Sequence, residues 1–205
     1  MRRILTLLMF GVLLTGIPVS TYAHEPGEGA ISGQVINDTQ GGGSVGGTEI
    51  TLLTYIDDSL ADTAITTADD EGKFHFDNIN LGYGYLVAAR YQDVDYYYPV
   101  EFETGEVTVY VEVGVCDTTD SDALIRAGLT HKIMEIEEET LYVTEVHWLV
   151  NNGDKTYLRA DGVLDFTLPE GAFGFQAPEE LVVDFQLLEN NTVTYLVPFP
   201  PGERQ

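Results

Sequence analysis

Four histidines, one cysteine and 34 carboxylates are the residues with the most chemistry to offer in this chain of 205. His24 follows Ala23, where an export-type cut is expected, so it would become the first mature residue. Its amine and ring nitrogen could then chelate copper(II), with His75, His131 or His147 closing the site, because imidazole suits copper. Acidic clusters fall at Asp57-Asp58, at Asp69-Asp70-Glu71, at Asp117 with Asp120 and Asp122, and from Glu135 to Glu139. No cofactor is expected; carboxylates and turn carbonyls are calcium ligands, so structural calcium is the one ion these clusters could hold, the alternative being a solvated acidic surface. None of them follows the EF-hand loop. Asp69, Asp70 and Glu71, with His24, are the candidate metal ligands.

Tyr96, Tyr97 and Tyr98 are the candidate binding residues, within a region that also holds Tyr83, Tyr85 and Tyr91. On a strand, neighbours face opposite sides, so Tyr97 must point away from the other two. Exposed tyrosines stack on sugar rings or anchor a protein partner. Gly42-Gly43-Ser44-Val45-Gly46 fits the string of a hydrolase nucleophile turn, which needs a strand before it and a helix after it. Here a strand is expected after it, so a flexible hairpin is the reading. Cys116 has no partner for a disulfide within the chain and reads as a small buried or boundary residue, not a nucleophile. Trp148 alternates with Val146 and Val150 and reads as core. Asn37-Asp38-Thr39 and Asn190-Asn191-Thr192 fit the glycosylation string.

The elements that must position these residues begin after a targeting pattern. Met1-Arg2-Arg3 is basic, Ile4 to Val19 is largely apolar, and Ser20-Thr21-Tyr22-Ala23 ends in small residues. Together they read as a secretory signal peptide over residues 1–23. The apolar stretch is short for a membrane span, and no second one follows. A secreted, cell-surface or periplasmic location is the expectation, with no transmembrane helix in the mature chain. Loss of Arg2 and Arg3, and of no acid, leaves seven basic residues against 34 acids, a net charge of −27 on 182 residues. That balance excludes a nucleic-acid backbone as partner and opposes anionic membrane surfaces. It fits a protein adapted to a salty exterior, where screening relieves self-repulsion.

Short runs of period-two alternation separated by turn residues fill the rest. Ile31 to Val35, Glu49 to Ile56, Ala64 to Thr67, Lys73 to Asp77, Tyr85 to Tyr91, Tyr96 to Phe102 and Glu106 to Val115 predict seven strands and a β-sandwich. Composition shifts at Gly114 to Asp122, which places a boundary between residues 24–115 and 116–205. Lys132 to Glu137, Leu141 to Val150, Thr156 to Arg159, Gly162 to Leu168, Leu181 to Leu188 and Thr192 to Val197 predict further strands. Asn152-Gly153 marks a hairpin. Pro200 to Gln205 reads as a loop, so strands or an anchor could lie beyond it. The fold expectation is all-β, two β-sandwich domains in tandem after a signal peptide.

Residues 31–100 resemble the carboxypeptidase regulatory-like domain, a transthyretin-like sandwich. The residues that carry this are Ile31-Ser32-Gly33-Gln34-Val35, Gly46 to Leu52, Thr66 to Phe76, Asp77 to Gly82 and Tyr85-Leu86-Val87. The resemblance implies a folding or interaction module attached to exported proteins, and with no peptidase zinc motif here it implies no catalysis. The second half loosely resembles an uncharacterised companion module, through Asp117-Thr118-Thr119, Val150 to Tyr157 and Phe166 to Ala172. The expected function is non-catalytic: a structural or interaction role at the cell surface, toward a protein or polysaccharide. The alternative is a carbohydrate-binding or copper-dependent oxidative protein using His24.

Overall fold

Phe74 and Phe76 alternate with Lys73, His75 and Asp77, and a strand is the only conformation that puts both rings on one face. The computed structural model, which describes residues 29–188 and 191–204, builds a strand there and is nearly all β. Seven strands form the first half: β1 (Gly29–Asn37), β2 (Glu49–Ile56), β3 (Ser59–Thr67), β4 (Lys73–Ile79), β5 (Gly84–Tyr91), β6 (Val94–Val100) and β7 (Thr108–Val115). They make two sheets, ordered β4-β1-β7 and β3-β2-β5-β6. Strand β1 pairs antiparallel with β4 and parallel with β7.

The inner faces meet in one apolar core of Ile31, Val35, Ile50, Leu52, Phe74, Phe76, Val87, Val113 and their neighbours. Gly33 is required at the centre of β1: a Cβ there would collide with the Val111 carbonyl and the Phe74 ring. Gly72, at φ +81°, closes the acidic turn before β4, a conformation that costs glycine nothing.

The second half holds β8 (Thr118–Thr119), β9 (Ile125–Glu137), β10 (Thr140–Asn151), β11 (Thr156–Tyr157), β12 (Leu164–Thr167), a 3-10 helix (Glu179–Asp184), β13 (Phe185–Leu187), β14 (Thr192–Tyr195) and β15 (Gly202–Arg204). Its sheets run β15-β10-β9 and β12-β14-β13, with a small parallel pair of β11 and β8. A second buried cluster, Tyr157, Val163 and Phe199, sits beneath them.

Asn152-Gly153 does not turn a hairpin, because Asn151 captures the bend. Its side-chain oxygen accepts from the Gly153 N–H at 2.9 Å, and its amide donates to the carbonyls of Lys155 and Phe199. Strand β11 therefore leaves β10 and pairs in parallel with β8. Residues 202–204 are a strand on β10, not a loop. Leu181 to Asp184 is 3-10 helix rather than strand. Trp148 is half-buried, edge-on to His131, and outside both cores.

Candidate functional site

The three consecutive tyrosines divide between the two faces of β6. Tyr96 and Tyr98 turn inward toward β7. The Tyr96 hydroxyl lies 3.0 Å from the Cys116 carbonyl, 3.2 Å from its N–H and 2.7 Å from Thr156 Oγ1. Burial pushes that hydroxyl above its ordinary pKa. Tyr98 pairs in the same way with the backbone of Gly114. Tyr97 points the other way and is 57% exposed. A cleft of about 920 Å³ lies beside Tyr96 and Tyr98, with Asp38, Asp95, Asp154 and Pro200 among its walls. The tyrosine rings help line it, but the hydroxyls of Tyr96 and Tyr98 are committed to the backbone.

Asp117 organises the seam between the two halves. Its carboxylate accepts from the Asn37 amide at 2.8 Å, the Tyr91 hydroxyl at 3.0 Å, the Gln92 amide at 3.1 Å and the Gly43 N–H at 3.2 Å. Across the same seam, Thr39 Oγ1 donates to the Asp154 carbonyl at 2.8 Å and accepts from the Asp117 N–H at 2.9 Å. The glycine-rich connection after β1 is thereby pinned, not a free hairpin. Its Gly-x-Ser-x-Gly string leads into β2 instead of a helix, which removes the nucleophile-turn geometry. In the fold the Asn37 amide donates to Asp117, Gly43 and Tyr91.

The Asn37 amide, first among these donors, holds the Asp117 carboxyl below the usual carboxylate range; burial pulls the other way. A depressed folded pKa stabilises the fold above the unfolded value near 3.8, and the contribution is lost as pH falls through the folded value. Asp117→Asn removes the charge and one acceptor oxygen, with an expected cost on the order of 2 kcal/mol at neutral pH. Denaturant unfolding at pH 7 and near pH 3 checks this: the gap to wild type must narrow in acid. A gap unchanged between the two would show that the charge contributes nothing.

The acidic turn is built for the backbone. Asp69 Oδ1 accepts from the N–H groups of Lys73 at 2.7 Å and Glu71 at 3.0 Å, an Asx turn that sets up β4. Asp57 and Asp58 form a two-residue hairpin turn with both φ values positive. Among the described residues no three His, Cys, Asp or Glu side chains converge on one point. His24 lies outside the described residues. His75 sits on β4 against Asp77, while His131 and His147 fall on opposite faces of the β9–β10 pair. Cys116 is buried, and burial, followed by the charges of Asp38 and Asp154, pushes its thiol up, away from thiolate character. In the second half Arg159 clamps Asp161 and Asp165, and Thr194 also donates to Asp165. These partners occupy a shallow depression of about 670 Å³.

The feature that sequence reasoning missed is the length and isolation of the β9–β10 hairpin. Its strands run 13 and 12 residues around a two-residue turn, Glu138-Glu139. Met134 faces Val143 and Ile136 faces Leu141 near the tip, all on one side of the ribbon and all exposed, Ile136 at 78% and Met134 at 67%. Leu129, Ile133 and Tyr142 are exposed on the other side. Among the described residues, strand β15 covers β10 at Leu149–Asn151. Lys132 Nζ and Glu145 Oε1 lie 2.7 Å apart across the ribbon, and this pairing holds the Glu145 carboxyl below its usual range. The run Ile125 to His131 carries no clean alternation because Gly128 sits in a bulge, and a pair of glutamates is no turn signature. The usable signal was that KIMEIE and LYVTEVHWLV stand three residues apart and both alternate.

No protein-family model, no curated protein and no solved structure matches this chain.

Proposed function

We propose that this is an exported, non-catalytic β-sandwich protein with a structural or interaction role at the cell surface. The signal-peptide pattern supports export, and the paired sheets of the first half are compatible with the carboxypeptidase regulatory-like resemblance. The observation that carries the reading is the β9–β10 hairpin. Two-stranded ribbons are marginal in water by themselves, and contiguous exposed apolar surface of this kind marks interaction sites. The Asp117 seam supplies the anchor, tying the first sandwich to the second half just ahead of β9. A protein partner fits better than a polysaccharide, because the hydroxyls of Tyr96 and Tyr98 are spent on backbone groups while the hairpin offers apolar side chains and open edges.

The test replaces Met134, Ile136, Leu141 and Val143 together by threonine, which keeps β propensity and removes apolar surface. The wild-type protein should fractionate with the cell envelope, and the variant should appear mostly in the medium with the first sandwich's melting unchanged. Equal release of the two proteins would sink the reading.

A further inference from the structure

We infer that β9 pairs antiparallel with β9 of a second copy of this chain, joining two hairpins into a four-stranded sheet. This deepens the interaction reading and rests on it. Among the described residues, β10 is the only strand paired with β9, and beyond Ile125, whose N–H donates to the Asp122 carbonyl and whose carbonyl accepts from Arg126, no strand pairs with the far edge of β9. Natural edges are blunted by charges, above all lysine. Here Lys132 does not serve that purpose, since its ammonium is turned back onto Glu145 of β10 at 2.7 Å.

Charge along β9 selects the occupant and its direction. Arg126, His131 and Lys132 precede Ile133, while Glu135 and Glu137 follow it, with Glu138 and Glu139 next in the turn. A parallel copy would set acid against acid. An antiparallel copy sets the Arg126 end of each strand beside the Glu137–Glu139 end of the other. With the two-fold axis at Ile133, His131 of each copy stands directly across from Glu135 of the other, on the same face as Ile133, since alternate residues share a face. Ile133, 54% exposed in the single chain, then packs on itself. Within one hairpin His131 faces Val146 and Glu135 faces Tyr142, so neither side chain has an opposite charge across its own ribbon. The net charge of the chain opposes association at long range, so salt should strengthen the pairing rather than weaken it.

Sedimentation velocity over a concentration series should show a monomer passing to a dimer, with the dissociation constant falling by about tenfold between ~0.1 and ~1 M sodium chloride. Ile133→Cys should form a covalent dimer under mild oxidation, because opposed residues in antiparallel strands hold their Cα atoms within disulfide reach. Buried Cys116 should not. Glu135→Lys should weaken the dimer, and His131→Glu combined with Glu135→Lys should restore it, although both variants keep the same fold. Three results would each overturn the proposal: a wild-type chain that stays monomeric throughout, an Ile133→Cys variant that cross-links no faster than Val143→Cys on β10, or a double variant as weak as the single one. Envelope fractionation of the same proteins separates the two readings. A monomer still retained by cells overturns self-pairing and leaves the interaction role standing, whereas a dimer released from cells overturns only the surface role.

Discussion

Phe199→Ala should melt the second half of the chain while the first sandwich stays folded. Phe199 is 1% exposed and, among the described residues, forms the second core's buried apolar cluster with Tyr157 and Val163. Truncating a buried phenylalanine costs ~3–5 kcal/mol, through lost transfer energy and the cavity left behind. A unit with so few buried contacts has little reserve, since whole domains are stable by only ~5–15 kcal/mol. The backbone bonds between Phe199 and Tyr157, at 2.9 and 3.0 Å, survive the substitution but lose their apolar cover. Among the described residues the first core has more than four times as many buried members, and Phe199 is neither one of them nor among the side chains packed against them. Trp148, the single tryptophan of the chain, lies in the second half and reports on it selectively. Its fluorescence should show an unfolded second half at a temperature where far-ultraviolet circular dichroism still registers most of the strand signal. One shared transition for both signals would show that the two cores fold as a single cooperative unit.

The melting temperature should climb with salt, by on the order of 10 °C between ~0.1 and ~1 M sodium chloride. Nine cationic side chains cannot neutralise 34 acids. The ion pairs that form gather acids around a few cations: Arg90 with Asp93 and Asp95, and Arg159 with Asp161 and Asp165. The excess carboxylates repel one another more strongly in the compact state. The Debye length shrinks from ~10 Å to ~3 Å over that range, shorter than the distance between neighbouring surface charges. Relief of ~3 kcal/mol moves a chain of this size by roughly 10 °C. Glu137, Glu138 and Glu139 stand in a row at the hairpin turn, exposed to solvent, and changing all three to Gln should flatten the climb. Equal stability at both salt levels would contradict the salty-exterior reading.

The all-β class and the seven strands of the first sandwich were legible in the chain itself. Alternation such as that of Phe74 and Phe76 against Lys73, His75 and Asp77 leaves one way to bury the rings, and Gly72 closes the turn wherever the chain is placed. The division of Tyr96 and Tyr98 from Tyr97 follows from strand geometry and needs no partner sheet. What the tertiary structure alone decided depends on contacts far apart in sequence. Asp117 reads as one acid among many until folding brings Asn37, Gly43, Tyr91 and Gln92 around it. Asn152-Gly153 loses its hairpin because Phe199, remote in the chain, competes for the Asn151 side chain. The Glu138-Glu139 turn carries no local signature, with Glu138 held at φ +54° by the long ladder on either side. Local alternation specifies that a segment is a strand, but which edge meets which neighbour is settled by long-range pairing, which among the described residues gives β9 one strand neighbour, β10.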